Sequence, residues 1–296
     1  MPNSYYSLNE YLRKTFGSKV YKLALNGGFT CPNRDGTLDT RGCIFCSAGG
    51  SGEFAGDAKK SITEQIEEGK RLVAEKIHDG KYIAYFQAYT NTYAPVDRLR
   101  ALFSEAIDHP DIVALSVATR PDCLPEDVLD LLSELNRIKP VWVELGLQTI
   151  HEKTAEYIRR GYPLSVYDKA VSDLRRRVLE VITHVILGLP GESIDDMKKT
   201  VDYVCRSGAT GIKLQLLHIL KNTDLEKEYL AGKVAVMSEE EYISLIADLL
   251  QQIPRDIVVH RLTGDGDKKL LVAPLWSANK KHVLNALRAA LKTRMS

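Results

Sequence analysis

Three cysteines fall within sixteen positions of this chain, in the stretch CPNRDGTLDTRGCIFC from residue 31 to residue 46. They are Cys31, Cys43 and Cys46, spaced C-x11-C-x2-C, with no fourth cysteine nearby. A disulfide wants two cysteines and a structural zinc site wants four ligands. His184 or His151, on later loops, could complete a Cys3His zinc set. An iron–sulfur cluster is the better fit, because thiolates bind its irons. A [4Fe–4S] cube on three cysteines leaves one iron without a protein ligand, and that iron can bind a substrate or a cofactor. The missing fourth cysteine then has a purpose.

The rest of the chain is consistent with thiols that stay reduced. The N-terminal stretch MPNSYYSLNEYLRKTFG has no apolar core of signal-peptide type. No run approaches the roughly 18 to 20 apolar residues of a membrane span. The chain therefore reads as cytoplasmic, where clustered cysteines are ligands or catalysts more often than disulfides. Cys123 and Cys205 stand alone and read as small buried fillers. With 296 residues and a net charge of +1, the chain is long enough for a full core and as a whole makes no case for a polyanionic partner.

The elements that must position the cysteines are short apolar runs alternating with amphipathic stretches. The runs are VYKLAL (20–25), YIAYFQAY (82–89), IVALSVA (112–118), VWVELGL (141–147), VITHVILG (181–188) and GIKLQLL (211–217). Their nearly continuous apolar character suits strands covered on both faces, as in a parallel sheet. Between them, residues 61–80 place Ile62, Ile66, Leu72, Val73 and Ile77 on one side of a helix ending at Gly80. Residues 124–138 and 193–208 are patterned alike, the latter with Ser193 as N-cap. Strand and helix alternate about six times, which predicts an α/β fold, a partial (β/α)6 TIM-like barrel. A seventh run, IVVHRL (257–262), and a C-terminal helix at about 279–293 make a short α/β tail on that core. The division expected is a barrel with its N-terminal lead-in over residues 1–220 and an extension over 221–296. The cysteines follow the first strand, and barrels build their active sites from the loops after the strands. Glycines before and after the cluster let backbone approach a compact object closely.

On these residues the sequence resembles the radical S-adenosylmethionine enzymes. Their common spacing is C-x3-C-x2-C, and the longer C-x11-C-x2-C gap is similar to that of the Elongator-type tRNA-modifying branch and its bacterial relatives. The resemblance implies that Phe45, before the last cysteine, packs near the adenine. It implies that Gly49 and Gly50, in Gly49-Gly50-Ser51-Gly52-Glu53, belong to the loop that holds the methionine amino group. It also implies that Gln148 and Arg160 contact the ribose and carboxylate of S-adenosylmethionine. An amide suits hydroxyls, and a guanidinium suits a carboxylate. ILGLPGES (186–193) resembles the strand-5 motif under the adenine, with His184 where an acidic ribose ligand is often found. Ala118-Thr119-Arg120-Pro121-Asp122 resembles the TRPD of Elongator-type enzymes, with Ala118 in place of a frequent Glu. The likeness runs from about residue 20 to residue 220, and no acetyltransferase domain follows within the remaining residues.

The resemblance implies reductive cleavage of S-adenosylmethionine at the cluster, yielding a 5′-deoxyadenosyl radical that takes a hydrogen atom from an unactivated C–H bond. Cys31, Cys43 and Cys46 hold the metal; Lys213, His218 and Tyr89 are the candidate substrate-facing groups, with Gln87 and Gln215 near them. A lysine in mid-strand on a barrel interior is costly unless it is paired or faces a ligand; Lys213 could equally point outward between helices. From Arg261 onward the chain carries eight Lys or Arg against two acids, Asp265 and Asp267. A basic helix there could meet phosphate. The resemblance then implies a tRNA substrate, at a carboxymethylaminomethyl-type group on C5 of the wobble uridine. It also implies a reductant such as flavodoxin or ferredoxin and a downstream methyltransferase. A radical enzyme acting on a small metabolite, or a zinc-containing nucleic-acid-binding protein, would use the same cysteines otherwise.

Overall fold

The computed structural model describes residues 5–50, 52, 54–77, 80–264 and 266–295. Ser51 and Glu53 of the glycine motif, residues 78 and 79 of the expected helix end, and Asp265 lie outside the described residues.

The chain opens with helix α1 (Leu8–Phe16), capped by the Ser7 side chain and stopped by Gly17 at a positive φ of 73°. Six strands follow, each where an apolar run predicts one: β1 (Tyr21–Leu25), β2 (Tyr82–Phe86), β3 (Ile112–Thr119), β4 (Val141–Gln148), β5 (Glu180–Leu187) and β6 (Gly211–Leu216). The helices between them are α2 (Ile62–Val73), α3 (Val96–Asp108), α4 (Glu126–Asn136), α5 (Glu152–Tyr157), α6 (Leu164–Arg176) and α7 (Ile194–Arg206). After β6 come β7 (Ile219–Leu220), α8 (Asp224–Leu230), α9 (Glu239–Gln252), β8 (Val258–Arg261), β9 (Leu271–Ala273) and α10 (Lys280–Met295). The main sheet runs β1-β2-β3-β4-β5-β6-β8, parallel throughout, and β7 pairs with β9 antiparallel. The six-unit partial barrel is thus present. The run at 257–262 is more than a tail: β8 joins the same sheet as a seventh parallel strand beside β6.

Two details of the helix reading change. Helix α2 ends at Val73, gives way to a 3-10 turn over Ala74–Lys76, and leaves Leu72 82% exposed. Its start is a full capping box, Ser61 with Glu64, and α7 has the same arrangement at Ser193 with Asp196. Cys123 is buried and Cys205 packs partly buried against the core, as fillers would.

Side chains alternate across each strand, so every strand sends one set outward under the helices and one set into the barrel. The outward set, including Leu23, Phe86, Leu115, Val143, Val181 and Leu214, joins the large core with the helices. The inward set is layered. Ile83, Ala114, Trp142 and Ile182 form an apolar plug with Leu12 of α1, which closes one end. Tyr11 packs edge-on to the fully buried Trp142, with ring centroids 5.8 Å apart. Two residues further along the same strands come Tyr85, Ser116, Glu144 and His184, which are polar. Two further again come Gln87, Ala118, Gly146 and Ile186, which line an open cavity at the carboxyl end. That cavity, about 250 Å³, is where the loops converge.

Candidate active site

Cys31, Cys43 and Cys46 all line this cavity. Their loop is pinned at several points. Arg34 N–H donates to Cys31 O at 2.8 Å, and Cys46 N–H donates to Cys43 O at 2.9 Å. Ile44 bridges two other elements: its N–H donates to Ile158 O at 3.2 Å, and its carbonyl accepts from Leu225 N–H at 3.0 Å. Arg34 donates to the carbonyls of Cys46 and Ser47 at 2.7 and 2.6 Å. Asn33, buried, reaches Cys43 Sγ at 3.5 Å and Arg159 O at 2.7 Å. Burial, then the neighbouring Cys46 sulfur, pushes the Cys43 thiol up to about 12, so ionised sulfurs here need a cation.

The donor set fits a cluster better than a single zinc ion. Among the described residues, the group of three metal-type donors with every atom within 4.8 Å of the others is Glu67, His109 and Asp111, not the cysteines. Zinc would draw tetrahedral sulfurs to about 3.8 Å of each other, given Zn–S bonds near 2.3 Å. The Glu67 group is an ion-pair network instead, with the Lys70 ammonium 2.7 Å from Glu67 and 2.6 Å from Asp111. His151, a candidate fourth zinc ligand, has its Nε2 3.0 Å from Asp196 O.

The loop after Cys46 packs on Tyr89. A Cβ on Gly50, whose φ is +60°, would sit 2.5 Å from the Tyr89 ring, so only glycine fits there. Tyr89 N–H donates to Gly50 O at 3.0 Å, and its hydroxyl donates to Ala48 O. Gly49 accepts from Gly52 N–H at 3.0 Å and turns the loop. Tyr89 is therefore placed as a support of the cysteine loop. Phe45 lines the cavity and packs against the apolar group of Ile44, Ile158, Ile186 and Leu217. His218 lines the cavity too, its ring against the backbone of Gly264 and Gly266, where a Cβ would come within 2.6 and 2.9 Å.

Gln148 ends β4 after a register shift, at a positive φ of 71°. Its Oε1 is buried with no hydrogen-bond partner, as is Thr90 Oγ1, and both residues line the cavity. Unpartnered polar atoms beside a cavity are rare in a folded chain and mark where a small side-chain rotation would meet a polar ligand. Arg160, only 2% exposed, is already engaged: Nε donates to Tyr162 O at 2.9 Å, Nη1 to Thr149 O at 2.6 Å, and Nη2 to Glu152 at 3.1 Å. Arg120 closes on Asp122 with two bonds of 2.9 and 2.7 Å and donates to Arg160 O at 2.9 Å. Both guanidiniums lie over the Tyr162 ring.

Below these groups lies a charged layer that the sequence reading caught only at Lys213 and His184. Lys213 points inward, where it pairs with the fully buried carboxylate of Glu144. The same carboxylate accepts from Lys22 at 2.5 Å, from Ser116 Oγ at 2.7 Å and from His184 Nε2 at 2.8 Å. Burial alone would raise Glu144; the Lys213 and Lys22 ammoniums outweigh it and hold the carboxyl well below its usual range. Burial, reinforced by Lys213, lowers His184 to about 4, which makes it a neutral donor at pH 7. Lys22 in VYKLAL and Glu144 in VWVELGL carry the signal that singled out Lys213, a charge in mid-strand. Arg261 also lines the cavity, from β8 at the layer of Lys213. It is not part of a surface basic stretch; the exposed basic residues of α10 are Lys280, Lys281, Arg288, Lys292 and Arg294.

Fold and site together define a parallel barrel that presents three thiolates beside a cavity with unsatisfied polar groups. The family profile of the radical SAM superfamily matches residues 37–204, which hold Cys43 and Cys46, and that of the radical SAM C-terminal domain matches residues 209–293. The chain is 49% identical over 292 residues to the uncharacterized protein YtqA of Bacillus subtilis, covering 99% of this chain and 91% of that one. It is 41% identical to protein YhcC of Escherichia coli, covering 91% of this chain and 86% of that one. A tRNA uridine(34) acetyltransferase of Methanocaldococcus jannaschii is 26% identical over 170 residues, 56% of this chain and 31% of that protein. Among solved structures, the archaeal Elp3 of Methanocaldococcus infernus superposes with a TM-score of 0.65 at 18% identity, over 89% of this chain and 63% of that one. The chain belongs to the radical SAM superfamily. It is an enzyme whose cofactors are a [4Fe–4S] cluster and S-adenosylmethionine, and it matches the radical SAM region of the Elongator-type relatives. No helix among the described residues is long and apolar enough to cross a membrane.

Proposed function

We propose that the chain modifies the C5 side chain of the wobble uridine in tRNA, at a carboxymethylaminomethyl-type group. The observation that carries this is the likeness to relatives named tRNA uridine(34) acetyltransferase, joined to a basic face on α10. That helix buries Val283 and Leu287 and exposes its lysines and arginines. Such a face suits a phosphate backbone. The reacting base would have to leave its stack to enter the cavity.

Within the site, Cys31, Cys43 and Cys46 would hold the cluster, which with S-adenosylmethionine supplies hydrogen-atom abstraction from an unactivated C–H bond. Gln148 and Thr90, which line the cavity, would turn their side-chain oxygens to hydroxyl or ammonium groups of the cofactor. Phe45 and Ile186 would cover its apolar surface, while Gly49 and Gly50 let backbone come close. Arg160 would act by shaping the turn around Gln148. With substrate covering the open mouth, the walls would shield the reacting centre from water. An electron donor such as flavodoxin or ferredoxin, and a methyltransferase acting afterwards, complete the proposed setting.

The test is tRNA carrying the carboxymethylaminomethyl group, incubated with reconstituted enzyme, reductant and S-adenosylmethionine, its wobble nucleoside then weighed by mass spectrometry. A changed mass, dependent on S-adenosylmethionine and weakened by Lys280→Glu with Lys281→Glu, supports the proposal. An unchanged nucleoside, with RNA affinity indifferent to the charge reversal, sinks it in favour of a small-metabolite substrate.

A further inference from the structure

Among the described residues, the charged layer inside the barrel does not balance. Lys22, Lys213 and Arg261 are three cations, and Glu144 is the carboxylate among them. Both oxygens of Glu144 are taken: Oε1 by Lys22 and Ser116, Oε2 by His184 and Lys213. Nothing of Glu144 is left for Arg261. The Arg261 guanidinium instead donates one long bond, 3.4 Å, to the neutral Gln215 Oε1. No carboxylate among the described residues lies within ion-pair distance of it. Yet Arg261 lines the cavity together with Tyr85, His184 and Gln215. A partly buried guanidinium without a counter-charge is costly, and a planar fork with free donors fits a carboxylate.

Arg261 and the cysteine loop reach the one cavity from different strands. Arg261 comes from β8, at the edge of the sheet opposite β1, whose following loop carries the cysteines. In register it lies beside Lys213, which is level with His184.

We propose that Arg261, with Gln215 beside it, is the recognition site for a carboxylate on the substrate's reacting side chain. The site deepens the proposed function, on which its substrate rests, because a carboxymethyl group is such a carboxylate. It also gives the extension its part in the barrel: β8 supplies the specificity residue.

Two measurements test it. The first is independent of RNA: thermal unfolding of the reconstituted enzyme with saturating S-adenosylmethionine, titrated with sodium acetate against sodium chloride at equal ionic strength. The site predicts stabilisation by acetate over chloride in the wild type, lost in Arg261→Gln and kept in part by Arg261→Lys. No acetate effect in the wild type, or the same effect in Arg261→Gln, overturns it. The second compares anticodon stem-loops whose wobble group ends in the free carboxylate or in its amide. The site predicts a KM roughly 10- to 100-fold lower for the acid, a preference that Arg261→Gln abolishes. Equal use of acid and amide by the wild type overturns it. If acetate binds through Arg261 while neither stem-loop reacts, the carboxylate seat stands and the wobble-uridine substrate falls. Iron content and circular dichroism of both variants show that they have folded.

Discussion

The carbonyls on both sides of Gln148 are held by one guanidinium: Arg160 Nη1 donates to Thr149 O at 2.6 Å and, more weakly, to Leu147 O at 3.5 Å. Gln148 itself sits at a positive φ, which a non-glycine residue adopts at a cost of about 1–3 kcal/mol unless its surroundings hold it. Arg160 is the group that holds it.

Removing Arg160 and removing the Gln148 side chain therefore have different consequences. Arg160→Ala leaves buried carbonyls without a donor and should lower unfolding stability by about 2–4 kcal/mol. It should also weaken S-adenosylmethionine binding with iron content intact. Gln148→Ala should weaken binding with stability within about 1 kcal/mol of wild type. Denaturant unfolding beside equilibrium dialysis of S-adenosylmethionine separates the two. Unchanged stability in Arg160→Ala would mean that its internal bonds are not what it contributes.

Glu144 is the counter-charge on which Lys22 and Lys213 depend. Glu144→Ala leaves the buried Lys213 and the partly buried Lys22 without their counter-charge, an expected loss of about 3–5 kcal/mol. Glu144→Gln keeps an acceptor and should lose less. Urea unfolding of the three proteins checks the order. A Glu144→Ala protein as stable as wild type would show that water already neutralises the layer.

The neutral His184 gives the fold an acid-sensitive side. Its pKa falls from an unfolded value of about 6.5 to about 4 in the fold. Between those values the unfolded chain binds a proton that the folded one does not, so stability drops as pH falls through that window. The slope from this residue approaches about 1.4 kcal/mol per pH unit. His260, buried and also lowered by desolvation, adds in the same direction. His184→Gln, unable to take the proton, should show a shallower decline between pH 6.5 and pH 4.5. Parallel pH curves for the two proteins would contradict this account.

Six strands, the capped start of α7 and the cysteine loop were all legible in the sequence. A buried parallel strand announces itself by unbroken apolar character, and a ligand cluster by residue type and spacing. The charged layer was not legible, because its members meet only in three dimensions. Lys22 and Glu144 are 122 residues apart, and Glu144 and Lys213 are 69 apart. Each alone is one odd residue in an apolar run. Arg261 is hidden for another reason: in the sequence it heads a basic stretch, while its place on β8 beside Lys213 turns it inward. The part of α1 as a plug depends on Trp142, a residue more than a hundred positions away, so nothing local signals it.

The most direct measurement is 5′-deoxyadenosine formation by anaerobically purified, reconstituted protein given dithionite and S-adenosylmethionine, beside a Cys43→Ala control. The account predicts that the wild type forms the nucleoside and that the control, short of one cluster ligand, does not. Stoichiometric zinc in place of iron, with no nucleoside from either protein even when tRNA is added, would contradict it.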